Sequence, residues 1–96
     1  MVDNSTFSRQ RGDTYRFGLV LKNTAAVEVA MPAIELTLTD SQDQALLRKV
    51  LTATDLGAKT DTLAANAEWT GAVALSAKVN GGAERISGYR VLAFYP

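Results

Sequence analysis

The sequence predicts an all-β protein, a small antiparallel β-sandwich of roughly six to seven strands, immunoglobulin-like or fibronectin-like. Apolar and polar residues alternate with a period of two in several separate segments. Residues that favour turns lie between these segments, above all Asn80-Gly81-Gly82. Almost no segment has the apolar spacing of a helix. Another small antiparallel sandwich is the alternative that these observations leave open.

The first two predicted strands cover residues 2–10 and 14–23. In the second, one face is aromatic and aliphatic while the other is mostly polar or small, which is typical of a half-buried antiparallel strand. Asn23-Thr24 is predicted to end it.

Residues 31–51 alternate almost without a fault and break once, at residues 41–44. This break has the length of a hairpin loop, so it predicts two paired strands. In the first of them, Glu35, Thr37 and Thr39 are predicted on the solvent face, opposite three apolar residues. The returning strand, residues 45–52, carries charge and is predicted at a sheet edge.

The segment of residues 53–68 is the least regular, and one helical turn is predicted over residues 63–67. Alternation resumes over residues 67–79. The final strand, residues 85–95, is apolar on both faces near its end and is therefore predicted to be central. The predicted core comprises Tyr15, Phe17, Leu19, Leu21, Ile34, Leu36, Leu38, Trp69, Val73, Leu75, Val91 and Ala93.

Length and composition limit the classes of function that the chain can have. The chain of 96 residues suits one domain, predicted over residues 1–96. Its 10 basic and 10 acidic residues cancel and are interspersed, which argues against a nucleic-acid partner. No apolar run has the length of a membrane helix, so no membrane contact by this domain is expected.

Catalytic chemistry is not expected either. The sequence contains no cysteine and no histidine, which excludes thiol catalysis, disulfides, the usual zinc sites and a Ser-His-Asp triad. The carboxylates, Asp40 and Asp43 among them, show no paired catalytic spacing. Residues 40–43 also lack the glycine and terminal glutamate of an EF-hand loop. We therefore expect no enzyme activity, no metal and no cofactor.

The candidate partner-binding residues are Arg48, Lys49, Gln42 and Asp43, on the charged strand and the loop before it. Adjacent residues of a strand point to opposite faces, so Arg48 and Lys49 cannot form one patch. Protection of the strand edge is the alternative role for both cations. The sequence thus favours a non-catalytic module that binds an unknown protein. A structural spacer is the alternative, and a small-ligand carrier or enzyme comes third.

Three motifs resemble a known family. They are residues 32–40 (PAIELTLTD), residues 47–51 (LRKVL), and Gly88-Tyr89-Arg90-Val91 with the closing Phe94-Tyr95-Pro96. They resemble the uncharacterised C-terminal domain of bacterial proteins that begin with a finger-like zinc ribbon and cross the membrane once. The resemblance implies a longer parent chain with a membrane anchor, and a place for this domain on the periplasmic side of the inner membrane. Ala53 and Leu56 depart from the family pattern, which has a proline and an aromatic residue there.

Overall fold

The computed structural model describes residues 1–96 as two three-stranded antiparallel sheets. The first sheet contains β1 (Val2–Arg11), β2 (Thr14–Lys22) and β7 (Glu68–Ser76) in the order β1-β2-β7. The second contains β4 (Ala33–Thr39), β5 (Ala45–Leu51) and β8 (Gly88–Phe94) in the order β5-β4-β8. Two short strands, β3 (Val29–Ala30) and β6 (Thr62–Leu63), pair with each other. A 3-10 turn over Ala83–Arg85 precedes β8.

This arrangement confirms the predicted small antiparallel β-sandwich, whereas its assignment as immunoglobulin-like or fibronectin-like stays a prediction. The hairpins β1-β2 and β4-β5 each stay within one sheet. The connections from β2, β5 and β7 pass to the other sheet. The Asn80-Gly81-Gly82 turn therefore joins two sheets instead of closing a hairpin. Gly81 and Gly82 have φ values of 88° and 86° there, which glycine adopts at little cost.

The core lies between the inner faces of the two sheets and includes a cluster of 12 buried residues. All seven core residues predicted on β2 and β4 belong to it, and so does Leu75. Trp69, Val73, Val91 and Ala93 were predicted in the core as well but are only partly buried and pack against the cluster. They lie on β7 and β8, which are edge strands, and this explains their partial exposure.

The prediction that the final strand is central is wrong. β8 pairs only with β4 and forms an edge of the second sheet. Apolar residues on both faces of β8 do not mean that both faces are buried. Leu92 points away from the core and is 58% exposed. The strand of residues 45–52 was predicted at an edge, and the position of β5 confirms it.

Thr37 and Thr39 face away from the core as predicted, yet they are not solvent-exposed. Their exposed fractions are 5% and 4%. In the register of the sheet, Thr37 lies between Arg48 of β5 and Arg90 of β8. Cross-strand neighbours are about 5 Å apart, so two long side chains can cover a threonine on the central strand.

The helical turn predicted over residues 63–67 is not formed, since Thr62–Leu63 is the short strand β6. The preceding loop instead inserts Leu56, which is 2% exposed, into the core. The carbonyl oxygen of Leu56 accepts a hydrogen bond of 3.0 Å from the backbone N–H of Ala72. The loop thereby covers part of the free edge of β7.

Asn23, predicted only as the end of a strand, is a buried polar residue that is 5% exposed. Its side-chain nitrogen donates to the carbonyl oxygens of Val27, Leu63 and Ala64 at 2.8–3.1 Å. Its side-chain oxygen accepts from the backbone N–H of Ala25 at 2.9 Å. A buried amide is stable only when it is paired in this way.

The same substitution on the two faces of the second sheet tests this register. Leu36→Ala is expected to lower the free energy of unfolding by about 2–5 kcal/mol, because it removes buried surface and leaves a cavity. Leu92→Ala should change it by less than about 0.5 kcal/mol, because Leu92 is exposed. Thr37→Ala should fall between them, at about 1 kcal/mol. Urea unfolding measures all three, and equal losses at Leu36 and Leu92 would contradict the register.

Candidate functional site

The outer face of the second sheet, meaning the side of β5, β4 and β8 that points away from the core, is the candidate functional site. Two neighbouring rows of side chains cross it. In one row, Val50 and Leu92 flank Glu35. In the other, Arg48 and Arg90 flank Thr37. This surface therefore combines aliphatic, cationic and anionic side chains on a regular β-sheet.

Its aliphatic residues are unusually exposed for residues of a sheet. Val50 is 59% exposed and Leu92 is 58% exposed, and no other large apolar side chain within a strand is classed as exposed. Single exposed apolar residues are normal on protein surfaces. Two of them in one cross-strand row, beside two arginines, resemble the composition of protein interfaces, where arginine is enriched.

The charges of the outer face are only loosely paired. Nη1 of Arg90 lies 3.9 Å from Oδ2 of Asp43, and the two side chains are 54% and 74% exposed. An exposed ion pair of this kind contributes little to stability. Arg48 forms no ion pair within the chain. Both guanidinium groups are thus accessible to carboxylates of a partner.

The β4-β5 loop beside this face is ordered by Asp40. Its Oδ1 accepts hydrogen bonds of 2.9 Å from the backbone N–H groups of Gln42 and Gln44. Its Oδ2 lies 3.6 Å from Nη2 of Arg85 in the 3-10 turn. The hydrogen bond from Gln44 lowers the pKa of Asp40 most, and the bond from Gln42 and the charge of Arg85 lower it further. Asp40 thus holds a loop together, which accounts for its presence without any bound ion.

The structure separates the four candidate residues predicted from sequence. Gln42 and Asp43 lie in the β4-β5 loop, where Asp43 has a φ of 60°. Arg48 lies on the outer face, opposite Thr37. Lys49 is opposite Leu36 and therefore on the core-facing side, where it is half-buried. An inward-pointing charge on an edge strand opposes the addition of a further strand.

Sequence reasoning missed four residues of the outer face: Glu35, Val50, Arg90 and Leu92. The alternation in β4, β5 and β8 is a signal that assigns each of these residues to a face. Joining them into one surface also requires knowing that β4 pairs with both strands at once. Pairing across 40 or more residues, as between Leu36 and Val91, leaves no local trace in the sequence.

Together the fold and this surface define a small antiparallel β-sandwich domain with an open sheet face. The chain belongs to the family described as "Protein of unknown function (DUF3426)", whose model matches residues 1–93. The resemblance to an uncharacterised domain is thereby confirmed at the level of the family. No curated protein and no solved structure matches the chain. None of its helical segments has the length and apolarity that a membrane crossing requires.

The role of Asp40 predicts an acid-dependent loss of stability. Because folding lowers the pKa of Asp40, its carboxylate stabilises the fold above its ordinary pKa of 3.8, and this contribution is lost as the pH falls through the lower folded value. Asp40→Asn should be less stable than the unchanged chain at about pH 6 and should lose less stability towards about pH 3. Urea unfolding at several pH values measures both effects.

The matched control is Asp3→Asn, since the Asp3 side chain is exposed and forms no ion pair. It should reproduce the acid dependence of the unchanged chain. Identical acid dependence in Asp40→Asn would show that the Asp40 hydrogen bonds do not stabilise the loop.

Proposed function

We propose that this chain is a non-catalytic protein–protein interaction module and the extracytoplasmic part of a membrane-anchored bacterial protein. The observation that carries the first half is the exposed aliphatic row of the outer face, Val50 and Leu92, beside the accessible guanidinium groups of Arg48 and Arg90. The second half, with a zinc ribbon and one membrane helix in the parent chain, rests on the resemblance of the sequence motifs.

The chemistry of the outer face specifies the kind of partner. Val50 and Leu92 suit apolar groups of a partner, and Glu35 between them suits a polar or cationic group. Arg48 and Arg90 suit carboxylates, and arginine can bind a carboxylate through two parallel hydrogen bonds. Asp43 is a weak internal competitor, because its contact with Arg90 is exposed and 3.9 Å long. The proposed partner surface is therefore acidic opposite Arg48 and Arg90 and apolar opposite Val50 and Leu92.

The partner is proposed to bind the face of the sheet and not the edge of β5. Addition of a strand to an edge requires a backbone row that another chain can approach. On β5 the inward-pointing, half-buried Lys49 opposes such addition. No inward-pointing charge of this kind opposes binding to the outer face. Its threonines, Thr37 and Thr39, are buried beneath the longer side chains.

A structural spacer is the second candidate, and the shape of the molecule favours it. The principal extents are 45 × 24 × 21 Å, so the domain is about twice as long as it is wide. An elongated sandwich holds whatever is attached to it at a distance without any specific contact. This role requires no exposed aliphatic row, which is the reason for placing it second.

Charge reversal on the outer face tests the interaction module. The immobilised chain should retain a partner from a bacterial envelope extract, and Arg48→Glu should weaken retention at least roughly tenfold, because it places like charges together. Leu92→Asp should weaken it similarly by removing apolar contact. Titration of the isolated partner, followed by amide chemical shifts, should map the contact to β5, β4 and β8.

Arg16→Glu is the matched control, because Arg16 is an exposed arginine on the outer face of the other sheet. It makes the same change in net charge and should leave retention unchanged, as should Lys49→Glu on the core-facing side. Melting temperatures of Arg48→Glu and Arg16→Glu should agree within a few degrees, because both arginines are exposed. Equal retention by Arg48→Glu and Arg16→Glu would favour the spacer.

A further inference from the structure

A second feature lies at the end of the sandwich near the β1-β2 turn, on the core-facing side of the sheets. A cavity of about 330 Å³ opens there between β1 and the segment that leads into β8. Phe7, Arg9 and Tyr15 line it from the first sheet, and Ile86 and Tyr89 line it from the other side. Its volume lies at the lower end of the range of small-molecule pockets, which begins at about 300 Å³.

The walls of the cavity are aromatic and held in place. The rings of Phe7 and Tyr15 are stacked, with centroids 5.0 Å apart and an interplanar angle of 11°. Phe7 also contacts Tyr89, with centroids 5.4 Å apart. The hydroxyl of Tyr89 donates to the carbonyl oxygen of Ser5 at 3.2 Å, which joins β8 to β1 across the gap between the sheets. The cavity is therefore part of the packed structure.

Tyr15 is the exception among the tyrosines. Its side chain is 2% exposed, and its buried hydroxyl forms no hydrogen bond within the chain. The hydroxyls of Tyr89 and Tyr95 both donate to backbone carbonyl oxygens. A buried hydroxyl without a partner destabilises a protein, and phenylalanine would fill the same space without this cost. The hydroxyl oxygen is closed to solvent beside the cavity, so a ligand reaches it only when the surrounding side chains shift slightly, and its hydrogen bond would then satisfy the group.

Arg9 adds a cation at the same place. It is the cross-strand neighbour of Tyr15 and thus lies on the core-facing side of β1. Its Nε donates to the carbonyl oxygen of Gly12 at 2.8 Å, while its two terminal nitrogens form no hydrogen bond or ion pair within the chain. No carboxylate lines the cavity, so Arg9 is its only charged residue.

We propose that this cavity binds a small monocarboxylic acid with an aromatic or aliphatic body. The body would pack against Phe7, Ile86 and Tyr89, and the carboxylate would accept hydrogen bonds from the hydroxyl of Tyr15 and the guanidinium of Arg9. An ionised carboxylate only accepts hydrogen bonds, and both the guanidinium of Arg9 and the hydroxyl of Tyr15 can donate them. An apolar cavity of about 150 Å³ suffices for benzene, so this one has room for a ring and a short acid tail.

Hydrocinnamate and hexanoate are the probes. Each is titrated into the isotope-labelled chain while amide chemical shifts are recorded, and the shifts should saturate at Phe7, Ile86 and Gly88. Hydrocinnamamide, which keeps the ring but loses the charge, should bind roughly tenfold or more weakly. If neither acid gives saturable shifts at these residues, or if the amide binds as tightly as the acid, the proposal is wrong.

Two substitutions test the donors. Tyr15→Phe should weaken hydrocinnamate binding roughly tenfold, and it should raise the melting temperature because it removes an unpaired buried hydroxyl. Weaker binding together with higher stability indicates a binding role for the hydroxyl. If Tyr15 served only in packing, affinity and stability would not change in opposite directions. Arg9→Gln should weaken binding by a similar factor, whereas Arg48→Gln on the outer face should not. Unchanged affinity in both Tyr15→Phe and Arg9→Gln would overturn the proposal.

Discussion

The fold depends on the contact between the core-facing sides of the two central strands, β2 and β4. Phe17 on β2 and Leu36 on β4 are both 0% exposed, and each lies in the middle of a continuous apolar row. Three strands need an apolar face covered by another layer before they are stable in water. Each sheet therefore exists because the other covers it. The chain passes between the sheets after three of its strands, so both sheets contain segments from distant parts of the sequence.

Where strands end, a few side chains pair with the backbone polar groups. Asn23 does this after β2, where one buried amide satisfies three carbonyl groups and one N–H group. Asp40 does it in the β4-β5 loop. Tyr89 joins the two sheets at the β1–β8 side. Near the cavity one buried polar group has no hydrogen-bond partner within the chain, namely the hydroxyl of Tyr15. This unpaired group in an otherwise paired structure is one of the observations from which we propose a ligand at the cavity.

Sequence reasoning identified the core residues of the central strands and the edge position of β5 correctly, but it misjudged the burial of Thr37 and Thr39 and of residues on the edge strands β7 and β8. The alternation in β2 and β4 placed Phe17 and Leu36 in the core correctly, because a central strand has covered neighbours on both sides. Trp69 and Val91 alternate just as well, yet they are half-buried because no further strand lies beyond β7 or β8. Lys49 was assigned to the opposite side from Arg48 correctly. The candidate surfaces themselves depend on pairing between distant segments, which local periodicity does not encode.

β8 carries residues of both the cavity and the outer face. Alternation directs Tyr89 towards the cavity and directs Arg90 and Leu92 to the outer face, so one strand contributes to both candidate sites. Only β4 holds it through a ladder of hydrogen bonds, whereas the Tyr89 side chain contacts β1 through its ring and its hydroxyl. An edge strand held on one side yields more easily than a central strand. Any shift of β8 that accommodates a ligand beside Tyr89 must also move Arg90 and Leu92 relative to Val50. We therefore expect ligand binding at the cavity and partner binding at the outer face to influence each other through the backbone of this strand.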